Sequence, residues 1–107
     1  MNDDKYILDE KGNPQKVSDL IEWAKSFEIN GNRVLKQTKL PKDVMVSTVF
    51  LGIDHRFMGE GPPILWETMV FGGQLDGEQE RYTSKEDALA GHDKWVKKHR
   101  PSGEGSQ

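Results

Sequence analysis

Apolar positions along this chain change period, and the changes divide it into elements. Leu20, Trp23, Ala24 and Phe27 recur at i, i+3, i+4 and i+7, the spacing of one helix face, which predicts an amphipathic helix over 18–27. Ser18 or Asp19 can cap its start, with Asp19 and Glu22 at capping-box spacing. Asn30, Gly31 and Asn32 supply residues that tolerate the left-handed turn ending a helix. A second helix opens at Ser84, three residues before Asp87, and its inner stripe reads Ala88, Leu89, His92, Trp95, Val96 and His99. Lys94, Lys97, Lys98 and Arg100 crowd its last turns, where cations suit the helix dipole, and Pro101 stops it.

Between the helices the pattern is that of strands. Tyr6–Leu8 reads as a short strand closed by a turn at 9–14, and Arg33–Leu40 as a strand with basic residues outward. Val44–Ile53 is dense in β-branched and aromatic residues and apolar on both faces, which predicts a central, covered strand. A Gly/Pro-rich loop, Asp54–Pro63, is expected to be exposed and mobile. Ile64–Phe71 returns as a pairing strand closed by Gly72-Gly73, and Glu80–Tyr82 makes a short edge strand. The expectation is an α+β fold with a small antiparallel sheet of three to five strands and two amphipathic helices packed on it. It takes residues 1–100 as one domain and 101–107 as a disordered tail.

Composition narrows the function. The chain of 107 residues has the length of one compact domain, with 34% hydrophobic residues and a correspondingly thin core. It holds no cysteine, which removes disulfides, cysteine-based zinc sites and thiol nucleophiles, and fits a reducing cytoplasm. No apolar run approaches the roughly 18 residues of a membrane helix, and the acidic start lacks the features of a secretory signal. Net charge is −3, and no segment builds a strong single-sign field. Basic clusters at Arg33, Lys36, Lys39 and Lys42 and at Lys94, Lys97, Lys98 and Arg100 are short, bordered by Asp43 and Asp93, and set in a chain of net negative charge. Nucleic acid is therefore an unfavoured partner.

Three blocks of the chain, 47–55, 61–73 and 81–92, resemble a family of small proteins of tailed bacteriophages and prophages that has no assigned activity. The likeness runs from Val44 to Val96, and more loosely over Ser18–Phe27. It implies synthesis in the cytoplasm of a bacterial host and carries no catalytic residue.

Candidate chemistry is sparse. Asp54-His55 lies where the central strand enters its loop, and His92 lies on the second helix. Together, or with Glu67, they would make a metal-assisted hydrolytic or acid–base set. No HxH, HxxxH or HExxH spacing supports it, and the plainer reading has Asp54 accepting loop amides and His92 partly buried. Glu67, between Leu65 and Met69 on one strand face, needs a cationic partner if that face is buried and nothing if it faces solvent or a partner. The pattern favours the second. No GxSxG, Walker or GxGxxG motif is present, so no cofactor is expected, and Trp23, Trp66 and Trp95 read as core or interface anchors. The leading expectation is a non-enzymatic accessory protein that binds a host or phage macromolecule, most readily a protein, or a small nucleotide. Its binding residues would be Asp54, His55, Arg56, Gly59, Glu60 and Glu67.

Overall fold

The computed structural model describes residues 4–30, 33–54 and 61–99, without the side chains of 27–30. Strands β1 (Lys5–Leu8) and β2 (Pro14–Val17) form a hairpin, followed by helix α1 (Leu20–Asn30). Strands β3 (Val34–Leu40), β4 (Val44–Phe50), β5 (Trp66–Phe71) and β6 (Gln79–Tyr82) form an antiparallel sheet in chain order. Helix α2 (Lys85–His99) then crosses the sheet. The fold is α+β, with two helices and antiparallel sheets of two and four strands. Strand β2 is absent from the sequence reading, because Pro14-Gln15-Lys16-Val17 carries almost no strand propensity. Asp9 makes the hairpin: its Oδ1 accepts the amides of Lys11 and Asn13, both at 2.9 Å. The same amides, Asn13 foremost, hold its carboxyl below the usual range.

Alternation along the strands sorts the residues of the sheet. Val44, Val46, Thr48 and Phe50 of β4 and Trp66, Thr68 and Val70 of β5 turn toward α2 and are buried. A bulge between Val34 and Lys36 brings Leu35 onto this side as well, against the cluster around Phe50 and Trp66. The helix side holds two apolar clusters. One joins Val44, Val46 and Val70 to Trp95 and Val96, and the other joins Phe50, Leu65, Trp66 and Tyr82 to Ala88. Gly91 lets α2 reach the sheet, since a Cβ there would overlap the ring and hydroxyl of Tyr82.

Strand β4 is central, as its composition predicts, but α2 covers only one of its faces; among the described residues no other element packs broadly on the opposite one. Helix α1 packs on β1 and β2 instead. Trp23 hooks it to the end of β4, its indole N–H donating to the Gly52 carbonyl at 3.0 Å. The expected inward stripe is only partly realised. Trp23 is half-buried, while Leu20 is 59% exposed and Ala24 also faces out. Phe27 falls outside the described side chains. No helix is long and apolar enough to cross a membrane among the described residues. The expected tail, 101–107, lies outside the described residues.

Candidate functional site

The two apolar clusters are separated by a row of polar side chains beneath α2. Thr38 on β3, Thr48 on β4 and Thr68 on β5 all turn toward the helix, and His92 descends from it between the first two. Its Nε2 shares a hydrogen bond with the Thr38 hydroxyl at 2.8 Å, and its Nδ1 shares one with the Thr48 hydroxyl at 2.7 Å. Thr48 and Thr68 bond each other at 2.5 Å. His92, Thr48 and Thr68 are fully buried. A neutral imidazole donates at one nitrogen and accepts at the other, and hydroxyls can do either, so the row closes without an unpaired group. Burial is the main reason its pKa lies below the ordinary histidine range; the ammonium of Lys36 adds to the shift and Asp93 opposes it.

The row continues toward the far edge of the sheet. Tyr82, whose hydroxyl is pushed up to about 12 chiefly by burial, donates to Glu80 Oε1 at 3.1 Å. The Trp95 indole N–H donates to the same oxygen at 3.0 Å, and Lys94 pairs with the carboxylate at 2.9 Å. Hydrogen bonding from Lys94 is the largest cause holding Glu80 below the usual carboxylate range, against the opposing effect of burial. This chain of groups ties α2 to all four strands. Sequence reasoning placed His92 and Trp95 on the inner stripe and missed their partners, because threonine in a strand is equally at home on a wet or a dry face.

The residues singled out from the sequence do not converge into one site among those described. Asp54 is buried, and its Oδ1 accepts the Ile64 amide at 2.9 Å, fastening the two ends of the 54–63 loop. His55, Arg56, Gly59 and Glu60 lie outside the described residues. With both ring nitrogens of His92 engaged by threonines, a metal would have to displace those hydroxyls. No group of three or more histidine, aspartate or glutamate side chains suited to a metal forms among the described residues.

Glu67 belongs to the other face of the sheet. It sits opposite Arg81 in the β5–β6 register and accepts its Nε–H at 2.9 Å. That face consists of three cross-strand rows: Lys39, Met45 and Phe71; then Gln37, Ser47, Met69 and Gln79; then Val34, Val49, Glu67 and Arg81. An apolar band runs through their middle from Phe71, 43% exposed, to Val34, 44% exposed, with Met45, Val49 and Met69 half-buried between them. Gln37 donates to the Ser47 hydroxyl at 3.2 Å, and the Glu67–Arg81 pair closes the opposite flank. An apolar strip with satisfied polar margins, on a sheet braced from behind, has the make-up of a recognition surface. The chain matches no protein-family model, no curated protein and no solved structure.

Proposed function

We propose that the chain is a non-enzymatic binding protein that docks a macromolecule on the uncovered face of its four-stranded sheet. The observation that carries this reading is the Phe71–Val34 band, apolar, uncovered among the described residues and backed by the His92–threonine row. The titratable groups that would serve catalysis are committed elsewhere: His92 to two threonines, Asp54 to a loop amide, and Glu67 to Arg81. The resemblance of blocks 47–55, 61–73 and 81–92 to phage and prophage proteins supports the bacterial cytoplasm as the setting and a host or phage protein as the object bound. Membrane partnership has no support, since no described helix can span a bilayer.

The test is site-specific crosslinking. A photoreactive phenylalanine analogue at Phe71 is compared with the same analogue at Lys97, exposed on the outer side of α2. The reading expects a discrete partner from position 71 alone. It further expects the purified partner's affinity to fall about tenfold or more with Phe71→Glu. Equal crosslinking from both positions, or unchanged affinity, overturns it.

A further inference from the structure

Among the described residues two apolar surfaces are left uncovered. One is the sheet face just described. The other is the outer side of α1, where Leu20 (59% exposed), Ile21 (66% exposed) and Ala24 form a short stripe. Trp23 faces inward and sets the roll of the helix, so the stripe cannot turn back onto its own hairpin without giving up the Trp23–Gly52 bond. Sheets with one apolar face are commonly covered by an amphipathic helix, and this chain carries such a helix away from its own uncovered face.

We propose that the occupant of the sheet face is helix α1 of a second copy of this chain. The proposal rests on the reading of that face as the binding surface and names its partner. Charge agrees: Asp19 at the cap with Glu22, Lys25 and Glu28 gives the helix a net −2, while Lys39, Arg81 and Glu67 give the face a net +1. Area agrees only if both surfaces are used. Leu20, Ile21, Val34 and Phe71 together leave roughly 400 Å² of apolar surface in water. An interface is a little over half apolar, so this corresponds to a patch of about 700 Å², close to the ~800 Å² per partner of a standard interface. Either surface alone would provide about half of that. Reciprocal exchange, with each copy giving its helix and receiving its partner's, buries both and closes the assembly at two.

The test is the mass in solution of the full chain and two variants, Ile21→Glu on the helix and Phe71→Glu on the face. Both positions are exposed, so the core is undisturbed, and unchanged melting midpoints verify it. The wild type should sediment at twice 12.2 kDa, and each variant at 12.2 kDa. Mixing the variants should restore only a weaker heterodimer, dissociating at a higher concentration than the wild type, because one sound helix–face contact of the two remains, the Phe71→Glu copy giving the helix and the Ile21→Glu copy the face. A wild type that stays monomeric at all concentrations overturns the proposal. So does a dimer that persists in Ile21→Glu, which would instead be two sheet faces stacked. If the wild type is monomeric while position 71 still crosslinks a different partner, the self-association falls and the binding reading stands. If neither is seen, both fall.

Discussion

The imidazole of His92 and the hydroxyl of Thr48 meet at 2.7 Å where neither side chain has any solvent exposure. The energetic weight of the contact follows from that exclusion. Thr48→Val removes a hydroxyl that both His92 and Thr68 use, leaving the buried Nδ1 of His92 without a partner, at a cost of about 1–3 kcal/mol. Thr38→Val removes the other partner of His92 at a half-buried position that water can reach, so its cost is below about 1 kcal/mol. Denaturant unfolding of the two variants measures the difference. Equal losses would mean that the row does not hold α2 down.

The same burial makes the fold sensitive to mild acid. His92 has its pKa lowered in the folded state, so the unfolded chain binds the proton more readily. Stability is therefore fully present above the ordinary histidine value of 6.5 and declines as pH falls below it, levelling off once the folded-state group also titrates. Melting midpoints between neutral pH and pH 5 should fall, and His92→Gln, which lacks a titrating ring, should flatten the curve over that interval. An unchanged slope in the variant would assign the acid sensitivity to another group.

Gly91 reverses an ordinary rule. In an exposed helix interior, Gly→Ala gains about 1 kcal/mol from helix propensity. At this position the added methyl meets the Tyr82 ring, which is fastened through its hydroxyl to Glu80 and cannot withdraw freely. Gly91→Ala should destabilise by about 1–3 kcal/mol, the usual cost of overpacking. The double variant Gly91→Ala with Tyr82→Leu should recover part of the loss. A stabilised single variant would show that helix and sheet are not in close contact there.

What was legible in the sequence follows the strength of each periodic signal. Both helices and the pairing of Val44–Phe50 with Trp66–Phe71 stand out because β-branched and aromatic residues cluster between Gly/Pro turns. Strand β2 does not, because its pairing comes from the Asp9 turn and not from its own residues. The outward direction of Leu20 was also hidden: the i, i+3, i+4 pattern identifies an apolar stripe but not what covers it. Glu67 lies on the face away from α2, yet its side chain is only 12% exposed and holds the cationic partner that the less favoured, buried reading required; Arg81 comes opposite it through the β5–β6 register, which the sequence does not display. The partners of His92 were invisible, as they come from three strands brought together only by the register of the sheet.

Glu80 is the last tie between α2 and the edge strand, and its two kinds of contact can be separated. Its carboxylate accepts from Trp95 and Tyr82, both nearly buried, and also pairs with Lys94, which is half exposed. The ion pair is screened by solvent and contributes little, whereas the two donors would be left unsatisfied without an acceptor. Glu80→Ala should therefore cost about 2 kcal/mol at neutral pH, and Glu80→Gln, whose amide oxygen still accepts, about 1 kcal/mol or less. The folded state holds this carboxyl below its ordinary 4.5, so its charged form contributes above that pH, and the contribution is lost as pH falls through the folded-state value. The gap between wild type and Glu80→Gln should accordingly close in acid, while the deficit of Glu80→Ala persists, because a protonated carboxyl keeps an acceptor oxygen and alanine has none. If the Glu80→Ala deficit vanished together with the Glu80→Gln gap, the ion pair with Lys94 would be the main tie.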